Sequence, residues 1–391
     1  MHISETEINK KNDKLICSAN VRSQETYKKL WYEIEAKFEN LVSDSSDAFL
    51  VGLIIPAMIS GEDIFLSGAI SERLFYNLNG RYQSILQHII PSLNRINIYP
   101  KGVHSITPSC SGVATGFSGG IDSYSVLADH HYSEVTNGFK LTHLLFNNVG
   151  SHGNYGLTAE RLFRERFSQL KPLVEYIGLP FICVNSNLDE FYQNNMFQQT
   201  HTLRNTSVAL LLQKGIRRYL YASTYNYKET YIGEAYDMAY SDPYCLPVLS
   251  TDVLDAFSVG SEYTRVEKTI RVAGVKDSYD TLDVCINTNT AQNCSKCLKC
   301  MRTLLTLEIA GMIKRYENSF DLNIYKQYRN KYIAEVLNSN NSFLKEILEF
   351  AEKSNFPIPI YSKLYSKYLK MQLPTRKVLG LPRRFADKFK L

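Results

Sequence analysis

From Val113 onward the chain alternates short apolar runs with helical patterns, and this rhythm constrains its fold more than any other feature. Apolar runs at 113–117, 141–146, 181–184 and 218–222 read as strands, and the spacing between them predicts helices over 121–130, 158–177 and 203–214. Gly178-Leu179-Pro180 breaks the second helix. Repeated βα units with short links call for an α/β fold, a parallel sheet with helices on both faces. Ligands of such sheets bind beyond the carboxyl ends of the strands.

At 391 residues the chain is long enough for one large core with an appended smaller unit. Residues 1–110 read as an α+β unit whose role the sequence does not disclose. There Leu30, Tyr32, Ile34 and Ala36 alternate with Trp31, Glu33, Glu35 and Lys37, as in a half-buried strand. Asp47 is placed to cap a helix over 48–58, and further strands are expected at 63–66 and 96–99, with helices over 71–79 and 82–90. Beyond residue 301 the pattern turns helical, over 301–314, 325–337 and 341–353. The expected division is therefore 1–110, an α/β unit over 111–314, and a helical region with a basic tail over 315–391.

An apolar share of 44 % and a charged share of 21 % exclude a disordered or fibrous chain. The apolar stretch 49–58 is interrupted by Pro56 and falls well short of the roughly 20 residues of a spanning helix. With no apolar leader pattern at the start, a cytoplasmic location is the expectation. The net charge is only +5, but residues 362–391 carry nine Lys and Arg against Asp387 alone. Such a run meets phosphates of RNA or an anionic membrane surface, or simply stays solvated.

Between the first strand and its helix lies Ser118-Gly119-Gly120-Ile121-Asp122-Ser123. Two adjacent glycines let the backbone turn tightly and approach a phosphate. Successive N–H groups at a helix start form an anion nest, and Ser118 and Ser123 add hydroxyl donors. Asp122 would repel phosphate unless a cation intervened, which assigns it to a Mg²⁺ link. The same residues would also make an ordinary turn capped by Asp and Ser. Neither the Walker pattern nor the dinucleotide glycine fingerprint is present.

Ser-Gly-Gly-x-Asp-Ser after a first parallel strand resembles the PP-loop of the N-type ATP pyrophosphatases. The resemblance implies a Rossmann-like, adenine nucleotide alpha hydrolase-like fold and cleavage of ATP between its α and β phosphates. A substrate oxygen is adenylated, and a nucleophile then displaces AMP.

Cys285, Cys294, Cys297 and Cys300 form Cys-x8-Cys-x2-Cys-x2-Cys, while Cys17, Cys110, Cys183 and Cys245 are scattered. Four thiolates at this spacing can close around Zn²⁺ as a structural site with no open position. Cysteine-only ligation also suits an Fe–S cluster. Lys296 and Lys299 are placed to offset the thiolate charge. The same arrangement is similar to the zinc site of the 7-cyano-7-deazaguanine synthase branch of that superfamily, and Arg204-Asn205 resembles a pair found there.

The likeness covers residues 113–313. It departs at Asn147-Asn148-Val149-Gly150, at 222–227, in the N-terminal unit and in the tail, which points away from a deazapurine substrate. The function implied is an ATP-dependent ligase that activates a carboxylate or amide oxygen for attack by ammonia or an amine, with Asp122, Lys228 and Arg204 as catalytic candidates. No N-terminal cysteine follows Met1, so nitrogen would come from free ammonia or another protein. A tRNA-thiolating enzyme using Cys110 or Cys183 and a non-catalytic nucleotide-binding protein are the alternatives, and self-association is expected as in related enzymes. Arg204 suits an anion or a helix-start salt bridge equally. Lys228 reads as a charge stabiliser or a surface lysine, and His152 as an exposed loop residue or a base. Glu262, Arg265 and Glu267 read as surface pairs.

Overall fold

The computed structural model describes residues 1–24, 27–152, 156–192, 196–287 and 290–378, with side chains to residue 371. The last 13 residues of the basic run lie outside the described residues.

In chain order the elements are β1 (His2–Ile3), β2 (Glu7–Lys11), β3 (Lys14–Arg22), β4 (Tyr27–Glu35), α1 (Asp47–Ser60), β5 (Ile64–Ser71), α2 (Glu72–Leu78), α3 (Arg81–Ile89) and β6 (Ile98–His104). The α/β rhythm follows with β7 (Gly112–Gly116), α4 (Ile121–Leu127), β8 (His143–Asn148), α5 (Leu157–Ile177), β9 (Phe181–Ser186), α6 (Phe197–Leu211) and β10 (Ile216–Ala222). After α7 (Asp242–Cys245) come β11 (Asp255–Val259) and α8 (Arg265–Val272), then α9 (Leu298–Ile309), α10 (Leu322–Val336), α11 (Ser342–Lys353) and α12 (Ile360–Val378).

The strands form one sheet in the order β11-β10-β7-β8-β9-β4-β3-β1-β5-β6, with β2 paired to β3. From β11 to β9 every pairing is parallel. These strands are short and mostly buried, as expected where helices cover both faces. The chain runs outward through β7, β8 and β9, then returns to place β10 on the other side of β7. That reversal is a topological switch point, the crevice where doubly wound sheets bind ligands. The fifth parallel strand, β11, was not among the expected strands.

The sheet does not stop at residue 110. Strand β4 pairs antiparallel with β9 through Tyr32↔Ser186 and Glu33↔Asn185, so the N-terminal strands extend the parallel block. Helix α1 is apolar all round, and 11 of its 14 residues are buried, as a helix enclosed on every side must be. Tyr32 Oη meets Ser207 Oγ of α6 at 2.9 Å. Asp47 is the first residue of α1, and Ser46 is the capping position. The Asp47 carboxylate instead accepts from Ser71 N–H (2.9 Å), Ser71 Oγ (2.5 Å) and Gln213 Nε2 (2.8 Å). It ties the N-terminal unit to the end of α6. One core lies on the α1 and α6 side of the sheet, and a second is shared by α4, α5, α8, α9 and the C-terminal helices. Among the described residues no helix is long and apolar enough to cross a membrane.

Candidate functional site

The loop after β7 is shaped by Gly119, whose φ of +74° lies in the left-handed region that favours glycine. A Cβ there would stand 2.9 Å from Leu170 Cδ2 and 3.2 Å from the Thr281 carbonyl. The Gly119 carbonyl accepts from Asp283 N–H at 2.8 Å, which pins the loop to the segment leading into the cysteines. Ser123 Oγ donates to the Gly120 carbonyl at 3.0 Å, so this hydroxyl serves the helix start. Ser118 is exposed. The first N–H groups of α4 have no intrahelical partner, as at any helix start.

Asp122, in the first turn of α4, meets two cations of α8, of which Arg265 was expected in a surface pair. Thr264 and Glu267 form a reciprocal capping box that starts α8, and this sets Arg265 and Lys268 three residues apart on one helix face. Arg265 Nη1 lies 2.7 Å from Asp122 Oδ1, and Lys268 Nζ lies 3.5 Å from the same oxygen. Arg265 is only 8 % exposed, not a surface pair, and its Nη2 donates to the Thr224 carbonyl at 3.3 Å. Lys268 is fully enclosed and donates to the Ser223 carbonyl (2.6 Å) and hydroxyl (2.8 Å), just past β10. Burial alone would raise the Asp122 pKa, but Arg265 and Lys268 outweigh it and hold it below the usual carboxylate value.

Two further cations come from α9. Arg302 lies over the Phe343 ring at 4.3 Å, beside Arg265 over the same ring at 5.5 Å. Burial and the neighbouring Arg265 push the Arg302 pKa down to about 10. Lys299 is open to solvent, yet surrounding protein and then Arg302 and Arg265 lower its pKa, against Asp122 and Asp237. The charge of Lys299 is therefore felt by Arg302, Arg265, Asp122 and Asp237. Two cations thus pair with one loop carboxylate, and Lys299 and Arg302 act on it electrostatically. Like charges so placed repel one another, and a polyanion would relieve that repulsion. Ser261 Oγ and Arg265 Nε are buried here without a hydrogen-bond partner.

The cluster borders a second group. His201 of α6 contacts Tyr221 Oη through Nδ1 (2.6 Å) and Asp237 Oδ1 through Nε2 (3.1 Å). Burial lowers its pKa, but Asp237 outweighs this and the net shift is upward. Tyr225, just past β10, stacks on Tyr240 (3.8 Å) and Phe343 (5.2 Å).

The remaining candidates lie elsewhere. Arg204 sits mid-helix in α6, 1 % exposed, and pairs through Nη1 with Asp189 and the Val149 carbonyl (3.1 Å), while Nε donates to Thr200 (2.8 Å). Its guanidinium covers the Tyr192 ring at 3.7 Å. In this structure the fork is taken up by partners within the protein, the salt-bridge alternative of its expected roles. Asn205 accepts from Asn147 Nδ2 at 3.0 Å. Lys228 is exposed, and its backbone N–H is held by Asn226 Oδ1; among the described residues the cations paired with Asp122 are Arg265 and Lys268. His152 is buried against Phe146 and Phe163, and desolvation pushes its pKa down to about 3, so it is neither exposed nor a base near neutral pH. Burial raises the Cys110 thiol and pushes Cys183, inside β9, up to about 12.

The four clustered cysteines do converge. Their sulfurs lie within 4.8 Å of one another, with Cys285 to Cys297 at 4.0 Å and Cys297 to Cys300 at 3.4 Å. Tetrahedral ligation at about 2.3 Å per bond calls for sulfurs about 3.8 Å apart, so the set can hold a metal ion such as zinc. Backbone N–H groups of Asn287 and Cys294 point at Cys285 Sγ (both 3.4 Å), and that of Cys297 at Cys294 Sγ (3.3 Å), an arrangement that favours thiolates. Lys299 stands between two of these ligands in sequence, and Asp283 stands two residues before the first.

Comparison with known protein families, with curated proteins and with solved structures returns no match.

Proposed function

We propose that the chain is an ATP-dependent adenylating enzyme whose nucleotide phosphates lie on the Ser118 to Ser123 loop. The observation that carries this reading is the pairing of Asp122 with Arg265 and Lys268 at the switch point between β7 and β10. A glycine loop at a helix start supplies N–H donors to phosphate, and the four neighbouring cations supply the charge. Bound phosphates would take over the neutralisation of Arg265 and Lys268 and leave the Asp122 carboxylate available to a metal. Mg²⁺, when bound, would withdraw charge from the departing pyrophosphate.

A carboxylate or amide oxygen of the acceptor attacks the α-phosphorus, and the bond to the β-phosphate oxygen breaks. Pyrophosphate leaves with that electron pair, stabilised by Lys268, Lys299 and Arg302. Ammonia or an amine then attacks the activated carbon, AMP departs, and the nitrogen loses its surplus proton to water or a base. Zn²⁺ on Cys285, Cys294, Cys297 and Cys300 would be structural, since thiolates fill all four positions. Sulfur insertion into tRNA through Cys110 or Cys183 is the alternative; burial raises both thiols, which works against a thiolate at either.

Pyrophosphate release from Mg-ATP tests the reading, measured with fractionated cell extract as the source of acceptor. Release that requires one fraction and disappears in Asp122→Ala is expected. ATP binding without release under any fraction would instead mark a nucleotide-binding module.

A further inference from the structure

Helix α12 carries a feature that nucleotide chemistry does not use. It holds to α10 along one side: Ser362 Oγ donates to the Asn330 carbonyl (2.9 Å) and Ser366 Oγ to Asn338 Oδ1 (2.8 Å). At about 100° per residue, Ile360, Leu364 and Met371 fall within one narrow arc turned well away from those serines, and Tyr361 and Tyr368 widen it. These five side chains are 77, 61, 75, 61 and 52 % exposed. Singly exposed apolar residues need no explanation, but a stripe running from Ile360 to Met371, about 17 Å of helix, does. Lys363, Lys367 and Lys370 flank the stripe between it and the packed face, all exposed. The sequence beyond adds six more cations and one acid.

We infer that α12 is a docking helix for an anionic lipid bilayer, lying in the plane of the membrane with its apolar stripe at the headgroup boundary. Charge and shape select this partner. Aliphatic side chains at Ile360, Leu364 and Met371 gain nothing from RNA, which rewards aromatic stacking and cations. An acidic soluble partner would answer the lysines but not the aliphatic stripe. A bilayer with acidic headgroups answers both, because acyl chains receive the stripe while the lysines extend their stems to the phosphates. Tyrosines at the margin suit the interface, with an apolar ring and a polar tip. One apolar helix binds weakly by itself, and the neighbouring cations supply the second signal that stable anchoring needs. The adenylating site would then work close to a membrane surface.

The test is flotation of the full chain with phosphatidylcholine vesicles, with and without phosphatidylserine. Binding is expected only with phosphatidylserine, weakening as salt is raised. Ile360→Asp with Leu364→Asp should lower the partition about tenfold or more, and Lys363→Ala about fivefold. The apolar pair is exposed, so the melting temperature should hold. Should the aspartates melt the helix, Ile360→Ser with Leu364→Ser repeats the test. Absence of phosphatidylserine-dependent binding would overturn the inference, as would binding indifferent to both apolar variants. Capture of single-stranded RNA with no vesicle binding would overturn it too, as would self-association abolished by the apolar variants with no vesicle binding.

Discussion

The guanidinium of Arg265 stands 2.7 Å from the carboxylate of Asp122, so the first helix of the parallel block and the helix after its last strand are tied through this carboxylate. Lys268 reaches the same carboxylate while anchored to Ser223 past β10. The loop's only acid is thus matched by cations inside the protein.

Asp122→Asn should lower the unfolding free energy by about 1–3 kcal/mol at neutral pH, since two enclosed cations lose their counter-charge. The folded pKa lies below the ordinary 3.8, so the carboxylate's stabilising contribution is present above that value and fades as pH falls through the folded pKa. Urea titrations at pH 7 and pH 3 should show the gap between parent and variant shrinking in acid. An equal gap at both would contradict this account.

Arg204→Ala should cost about 3 kcal/mol, because Asp189 loses its partner and Tyr192 its stacked cation. Lysine should not restore the loss, since it lacks the planar fork. The urea midpoint measures both variants. An unchanged midpoint with weakened ATP binding would return Arg204 to the nucleotide site.

Cys297→Ser should abolish a stoichiometric metal, read by elemental analysis of the purified chain. Metal binding to such a knuckle is worth on the order of 10 kcal/mol of apparent folding free energy, so the cysteine segment should open. Because Asp283 N–H holds the Gly119 carbonyl, hydrogen exchange should rise in the Ser118 to Ser123 loop as well. A loop left fully protected after metal loss would show that the two sites are independent.

Asp242 is buried, with Oδ1 accepting from Thr202 and Oδ2 unpaired. Burial raises its pKa to about 6. A raised folded pKa means that its favourable contribution is complete below the unfolded value and is lost as pH rises through about 6. Asp242→Asn removes this dependence and should gain about 1–3 kcal/mol relative to the parent between pH 5 and pH 8. Thermal melts across that range check the sign.

The sequence by itself determined the α/β architecture, the loop and the cluster of four cysteines, because each is written locally. Apolar periodicity reports which face of a strand or helix is buried. Adjacent glycines report a backbone turn, and Cys-x2-Cys steps report a chain folding back so that its thiols converge. The Thr264 to Glu267 capping box was also legible, and it was the one signal that could have placed Arg265 and Lys268 at the mouth of the sheet. Without β11 assigned before it, that helix start had no known address.

The tertiary structure decided which charged residues serve the site. From sequence both Arg204 and Arg265 are expected near helix starts, yet one sits mid-helix under Tyr192 and the other meets Asp122. Their difference comes from strand order, which sets β10 and β11 on the far side of β7 and carries α8 over the loop. The same order joins the N-terminal strands to β9, so the division expected at residue 110 crosses a hydrogen-bonded sheet. Charge pairing across long sequence separations depends on where the chain reverses, and no local pattern encodes that reversal.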